Sequence, residues 1–235
     1  MSFRPSLAAL LLVLAAAPAS AHQIWIEADG QGVQVYFGEF GENLREVSPG
    51  LLDKLAPSAR AVSPAGELPL KVDKGATSFA VSGPLPTGAS IVAQDARYPA
   101  FERKRDGLIS RGIYVPAARL VSDTSPQPAV LDLDIVPTGP GAFQVFFKGK
   151  PLAKAKVSVM TQSGWEKELH SDADGKVSTT LPWRGTYVLE TKHEDKAAGN
   201  RGEDAYDSAS YVTTLTIVQP QGVEPLPAPP PAKPN

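Results

Sequence analysis

The sequence has no cysteine and little net charge, and each of these shortages excludes a class of function. Without cysteine, an exported chain cannot use disulfides, thiolate metal ligands or a cysteine nucleophile. A formal net charge of −2 over 235 residues gives no electrostatic reason to expect nucleic acid or an anionic membrane as a partner. The sequence also lacks a G-x-S-x-G elbow, an H-E-x-x-H helix and a glycine-rich phosphate loop. We therefore predict that the protein is not an enzyme.

Only one long apolar run is present, and it lies at the start of the chain. Leu7–Ala17 follows the positive charge of Arg4 and precedes the small residues Ala19-Ser20-Ala21. This order is typical of a secretory signal peptide cut before His22, whereas a membrane span requires roughly 20 apolar residues. We predict that residues 1–21 are removed and that the mature protein is periplasmic, has no membrane span and carries a net charge of −3.

The remaining sequence is typical of an all-β protein. Twenty glycines and 23 prolines separate short runs in which apolar and polar residues alternate, as in Val33-Gln34-Val35-Tyr36-Phe37. One short helix is expected over Gly50–Leu55, because Ser48-Pro49 has a capping serine and a proline suited to the first turn.

The length and the turn signals predict two β-sandwich domains. Ser122–Pro128 is rich in turn-forming residues and has no apolar periodicity, so it is the expected linker. The division is residues 22–128 for the N-terminal sandwich and 129–219 for the C-terminal sandwich. Residues 220–235 are dense in proline, and we predict a disordered, extended tail, with docking into a groove as the alternative.

Three motifs in the second predicted domain occur in a characteristic order. A Gly-x-Pro-Leu strand entry over 149–159 is followed by Asp174-Gly175, which suits a tight hairpin, and by Gly185-Thr186-Tyr187. This order resembles the prealbumin-like β-sandwich of the transthyretin and Cna-B type. The resemblance implies a fold and carries no chemistry by itself.

Cleavage before His22 would create a metal chelator. The free amine and the ring Nδ1 of an N-terminal histidine can chelate one ion, and a second imidazole would complete a histidine brace. Such nitrogen ligands suit copper, nickel and zinc, with the highest affinity expected for copper. Because the amine must lose its proton, binding should weaken at acid pH.

His193 is the expected second ligand. It follows the apolar strand pattern that ends at Thr191, and the sequence predicts that it opens a long charged loop. Glu194 and Asp195 could add carboxylate oxygens or orient an imidazole. The alternative interpretation is a surface histidine in a solvated loop.

Weaker candidates lie in three other places. His170 precedes a turn that explains its surroundings without a metal, while Glu39 and Glu42 would serve as ligands only if their loop folds back over the N-terminus. Trp25 could pack beside the metal, although a core position is the simpler interpretation.

The mature chain as a whole resembles one family. A signal peptide ending before His22, the motif His22-x-x-Trp25-x-Glu27, two β domains and the late His193-Glu194-Asp195 are similar to periplasmic components of cobalt/nickel uptake systems. The resemblance implies a protein that binds nickel or cobalt and assists its uptake, alongside a membrane metal transporter or an outer-membrane receptor. Copper is the alternative metal.

Two other functions are compatible with these patterns. A histidine brace also occurs in oxidative copper enzymes that act on polysaccharides, but the aromatic residues here fall mostly on apolar strand faces rather than on a flat substrate surface. A metal-free structural or adhesion module of the cell envelope is the alternative from a different class.

Overall fold

The computed structural model describes residues 22–30, 32–105 and 107–235. Residues 1–21, where the sequence predicts a signal peptide, lie outside this part of the chain. The described residues form strands and two short 3₁₀ helices, which confirms the all-β class. No helix within them is long and apolar enough to cross a membrane.

The strands follow one another closely along the chain. They are β1 (Gln23–Asp29), β2 (Gly32–Glu39), β3 (Leu44–Arg45), β4 (Ser58–Ser63), β5 (Gly66–Lys74), β6 (Phe79–Ser82), β7 (Ser90–Gln94), β8 (Phe101–Arg105), β9 (Leu108–Val121), β10 (Leu133–Gly139), β11 (Ala142–Phe147), β12 (Lys150–Pro151), β13 (Lys156–Thr161), β14 (Glu166–His170), β15 (Lys176–Ser178), β16 (Gly185–Asp195), β17 (Gly199–Arg201), β18 (Asp204–Tyr206) and β19 (Ser208–Gln219). The 3₁₀ helices are Phe40–Glu42 and Leu51–Lys54. The second of these lies inside the range predicted as a helix, but it is a 3₁₀ turn rather than an α-helix.

Most strands belong to one continuous hydrogen-bonded series. Its order is β1-β2-β6-β5-β4-β7-β9-β19-β16-β13-β14, with β3 added beside β2 and β8 beside β9. Strands β10, β11, β12 and β15 form a separate four-stranded sheet, and β17 pairs with β18.

A parallel pair at the centre of the series joins the two predicted domains. Strand β9 pairs with β19 from Ser208 opposite Gly112 to Ile217 opposite Val121. Strand β9 belongs to the first predicted domain and β19 to the second, so both parts contribute to a single sheet. The division at residue 128 remains a prediction.

The two faces of this central sheet cover different hydrophobic cores. On one face, Ala118 and Leu120 of β9 join the core built mainly from β1 to β7. On the other face, Ile113 and Val115 of β9 join a core shared with Leu215 of β19 and with the four-stranded sheet. Because side chains alternate along a strand, adjacent residues enter different cores.

Strand β1 lies across the first of these faces. The Thr214 hydroxyl of β19 donates to the Ile24 carbonyl at 2.8 Å, and Trp25 packs with Val188 and Met160 of the neighbouring strands. Trp25 is fully buried, so it is a core residue. Its indole N–H donates to Glu27 at 2.9 Å.

A buried ion pair fixes the segment that connects β9 to β10. The Arg119 guanidinium donates to both Asp134 carboxylate oxygens, at 3.1 and 2.6 Å, and both side chains are fully buried. Arg119 also donates to the Ser90 hydroxyl at 2.7 Å and to the Pro128 carbonyl at 3.1 Å. The backbone N–H groups of residues 130 and 131 donate to the same carboxylate. The linker predicted over Ser122–Pro128 contains no strand, and this network ties its end to the sheet.

The sequence predicts a tight hairpin at Asp174-Gly175, and the structure has a tight turn there, closed by the Gly175 N–H on the Asp172 carbonyl at 3.1 Å. The turn does not form a hairpin, because β14 pairs with β13 whereas β15 pairs with β11 of the other sheet. Gly175 has a φ of +75°, and a side chain there would meet the Val145 carbonyl oxygen at 2.6 Å. Glycine is therefore required both by the backbone conformation and by the close approach of β11.

Removal of the Asp134 carboxylate should be strongly destabilising. In Asp134→Ala the buried Arg119 would lose its counterion, and breaking a buried pair in this way costs about 3–5 kcal/mol. The measurement is chemical denaturation of the chain from residue 22. As a control, Asp73→Ala breaks an exposed pair with Lys71, for which we expect less than about 1 kcal/mol. Equal losses in the two variants would show that the buried network does not stabilise the junction.

Candidate functional site

His22 lies at the start of β1 and is held from its backbone and from its ring. The Tyr114 hydroxyl of β9 donates to the His22 carbonyl at 2.5 Å. The imidazole packs against Phe37, with ring centroids 5.0 Å apart, and its side chain is 17% exposed. The histidine is therefore fixed on the protein but still reachable from solvent.

The β1–β2 hairpin brings Glu39 to His22. Gln23 pairs with Gly38, so the next position outward places His22 across from Glu39. The Glu39 Oε1 lies 3.7 Å from the His22 Nδ1, and the Glu39 side chain is 15% exposed. The condition set for Glu39, that the 38–42 segment lies near His22, is therefore met in the structure. Glu42 is exposed, and its charge adds to the effect of burial in raising the pKa of Glu39.

Glu46 binds the other ring nitrogen. Its Oε1 lies 2.5 Å from His22 Nε2, and its side chain is fully buried. Strand β3 pairs with the end of β2, and the Glu46 N–H then donates to the Phe37 carbonyl at 2.8 Å, which sets Glu46 beside the ring. Gly38 makes this possible, because a Cβ at that position would lie 2.2 Å from the Leu44 carbonyl oxygen.

Asn235 completes the contacts of Glu46. Its backbone N–H donates to Glu46 Oε2 at 3.0 Å, and its side-chain amide donates to Glu46 Oε1 at 2.9 Å. The same amide nitrogen lies 3.5 Å from His22 Nε2. Both oxygens of the buried carboxylate therefore have donors.

The pKa values of Glu46 and Glu39 are shifted in opposite directions. Burial alone would raise the pKa of Glu46, but the hydrogen bonds from His22 and Asn235 hold it below its usual value. Burial and the charge of Glu42 raise the pKa of Glu39, although His22 and Lys192 partly oppose this effect. Glu46 is thus a firmly ionised acceptor, while Glu39 would gain more from a nearby cation.

A further buried carboxyl lies on the same face of the sheet. Glu190 of β16 pairs with Thr214, whose side chain points to β1, and Lys192 Nζ lies 2.8 Å from the Glu190 carboxylate. Burial raises the pKa of Glu190, Lys192 lowers it, and the charge of Glu39 adds to the increase.

His193 lies on the opposite face of the sheet from His22. It belongs to β16 rather than to a loop, and it pairs with Tyr211 of β19. Tyr211 and His193 both contact Phe147 of the four-stranded sheet. The side chains of residues 190 and 192 point towards β1, so His193 points away from it. The structure thus does not bring the two histidines together, and the expected brace has no second imidazole from His193.

Glu194 and Asp195 are also in β16, and each has a different partner. Glu194 accepts a hydrogen bond from Arg103 at 2.9 Å, and Asp195 accepts one from Lys148 at 2.7 Å. The long loop expected from His193 to Ser208 is instead the end of β16 followed by the β17–β18 hairpin. His170 ends β14, is exposed and lies 3.7 Å from Glu168.

Two carboxylates flank the His22 imidazole, one beside each ring nitrogen. Among the described residues, no group of three His, Cys, Asp or Glu side chains is arranged to hold a metal ion. His22 Nδ1 and Glu39 Oε1 nevertheless lie 3.7 Å apart, and cleavage before His22 would add the α-amine as a donor. Because this amine belongs to the backbone, it is not one of the side-chain groups considered above.

Residues 112–195 match the family model described as a domain of unknown function (DUF4198). The match runs from β9 to the end of β16, so it includes Tyr114 and Glu190 but not His22, Glu39 or Glu46. No curated protein and no solved structure matches the chain. The expected link to nickel and cobalt uptake remains a prediction.

Glu190 should make stability depend on pH. Its pKa is raised in the folded protein, so the folded state holds this proton more tightly than the unfolded state. The resulting stability is present at acid pH and is lost as pH rises from the ordinary glutamate value towards the raised one. Relative to the unaltered protein, Glu190→Gln should therefore gain in free energy of unfolding as pH increases through this window.

The measurement is urea denaturation at a series of pH values. Glu203→Gln, at an exposed position, serves as the control and should leave the pH profile unchanged. If the difference between Glu190→Gln and the unaltered protein were the same at every pH, the raised pKa of Glu190 would be refuted.

Proposed function

We propose that the mature protein binds a divalent transition metal at His22 in the periplasm and passes it to an uptake system. One observation carries this proposal. The buried Glu46 occupies His22 Nε2, while Nδ1 faces Glu39 at 3.7 Å. One ring nitrogen is thereby held in place, and the other is directed towards a carboxylate.

The distance between Nδ1 and the Glu39 oxygen suits two ligands of one ion. Imidazole nitrogen and carboxylate oxygen each bind a transition metal at about 2 Å, so a shared ion separates them by less than about 4 Å. A metal-binding histidine usually donates its other ring N–H to a carboxylate, which fixes the tautomer. Glu46 is in the position for this role.

Signal cleavage would supply the third donor. The α-amine of His22 and its Nδ1 belong to one residue, so both can reach the same ion without bringing another chain segment to the site. Amine nitrogen, imidazole nitrogen and carboxylate oxygen suit nickel, cobalt, copper and zinc, with copper expected to bind most tightly. The resemblance to cobalt/nickel uptake components supports nickel or cobalt as the cargo, and a membrane transporter or outer-membrane receptor as the recipient.

Metal titration of the mature protein tests this proposal. Protein beginning at His22 should bind Ni²⁺, Co²⁺ and Cu²⁺ with a stoichiometry of one, measured by calorimetry. One extra residue before His22 removes the amine and should weaken binding by at least about 100-fold, more than loss of an outer-shell partner. Glu39→Gln replaces a proposed ligand carboxylate by a neutral amide and should weaken binding by roughly 10-fold or more, again at least as much as loss of an outer-shell partner.

His193→Ala is the matched control, because this histidine lies on the other face of the sheet. The metal affinity of this variant should stay within about twofold of that of the unaltered protein, because changes at distant, independent positions have little effect on each other. Equal affinity in the protein with an extra N-terminal residue would contradict the amine ligand. If the mature protein bound none of the three metals, the metal-free structural or adhesion module would be the better description.

A further inference from the structure

The proline-rich tail lies along the protein and reaches the His22 site. Seven of residues 220–235 are proline, and no strand forms after Gln219. A polyproline-like chain advances about 3.1 Å per residue, so the 12 steps from Val223 to Asn235 can span roughly 37 Å. The tail connects the segment just before β16, where Val223 pairs with Trp183, to Glu46 beside the start of β1.

The tail is attached first beside Trp183. Val223 forms an isolated parallel bridge with Trp183, its N–H donates to the Pro182 carbonyl at 2.9 Å, and its carbonyl accepts from the Arg184 N–H at 3.0 Å. Arg184 also pairs with Glu224. These contacts fix the direction in which the tail leaves the sandwich.

A second attachment is at Asn43, which follows the first 3₁₀ helix. The Asn43 side-chain amide donates to the Pro229 carbonyl at 2.8 Å, and the Asn43 backbone carbonyl accepts from the Ala232 N–H at 3.3 Å. Asn43 also accepts a hydrogen bond from Arg45 at 2.6 Å, which orients its side chain. The tail is thus guided along the segment that carries Glu46.

The third attachment is at Glu46 itself. Asn235 donates one hydrogen bond to each carboxylate oxygen, at 3.0 and 2.9 Å. Because Glu46 is fully buried, an oxygen that loses its donor is costly. Asn235 therefore fixes the rotation of the carboxylate as well as its charge.

We propose that Asn235 is a positioning residue for the His22 site. By holding both oxygens of Glu46, it keeps Oε1 on the Nε2–H of His22 and leaves Nδ1 unprotonated on the side of Glu39. The tail delivers this asparagine at a low cost in conformational entropy, because each proline already has a fixed φ angle. The metal part of this inference rests on the function proposed above, whereas the orientation of the imidazole does not.

The tautomer of His22 gives a test that requires no metal. In protein beginning at His22, ¹⁵N NMR at a pH where the imidazole is neutral should show one tautomer, protonated at Nε2. Asn235→Ala, and more strongly removal of residues 229–235, should give a mixture with substantial Nδ1 protonation. Lys233→Ala, an exposed change in the same tail, should keep the single tautomer.

Metal affinity provides the second measurement on the same variants. Asn235→Ala should lower the affinity for Ni²⁺ by about 10-fold and tail removal by up to about 100-fold, as for loss of outer-shell partners. Thermal unfolding shows whether a variant has a destabilised sandwich. If removal of residues 229–235 destabilises it, the result for Asn235→Ala, which keeps the whole tail, decides between the outcomes.

The outcomes separate this inference from the proposed function. A tautomer change on loss of Asn235 supports the positioning role even if the protein binds no metal. An unchanged tautomer in both tail variants would overturn it, even if the protein binds nickel tightly.

Discussion

The parallel pairing of β9 with β19 is the constraint on which the other contacts depend. It brings together strands that begin about 100 residues apart and makes one sheet the shared wall of two cores. Both strands also hold β1, through the Tyr114 hydroxyl on the His22 carbonyl and the Thr214 hydroxyl on the Ile24 carbonyl. The position of His22 is therefore set by residues far from it in the sequence. Without this pairing, the two hydroxyl groups that hold the β1 backbone would not lie side by side.

The alternation of side chains along β16 then decides which charged groups can act together. Glu190 and Lys192 face β1, whereas His193 contacts Phe147 in the other core. Neighbouring residues in the sequence thus belong to separate environments, with the thickness of a sheet between them. The regular pairing of β1 with β2 likewise places Glu39 opposite His22, since these residues lie one position beyond the Gln23–Gly38 pair.

The sequence predicted the all-β class, the β1 and β2 strands and a turn at Asp174-Gly175, because these depend on local alternation and turn chemistry. It did not show that this turn joins strands of two different sheets instead of closing a hairpin. The register of β1 with β2, which places Glu39 opposite His22, comes from the structure. Strands such as β14 were not predictable in this way, since its residues are mainly charged and give no apolar face. Glu46 and Asn235 carry no local signal either, because each reaches His22 only through tertiary contacts. His193 was misplaced because the charged residues after Thr191 were interpreted as a loop, whereas β19 extends the pairing to Asp195.

The buried Arg119–Asp134 pair has a mechanical consequence. Since its hydrogen bonds include the Ser90 hydroxyl, the Pro128 carbonyl and two backbone N–H groups, the start of β10 is fastened to the sheet that precedes it. A connection of this kind cannot act as a hinge, because any swing would strand two charges in an apolar interior. A swing of the segment before residue 128 against the segment after it would therefore have to break a fully buried ion pair.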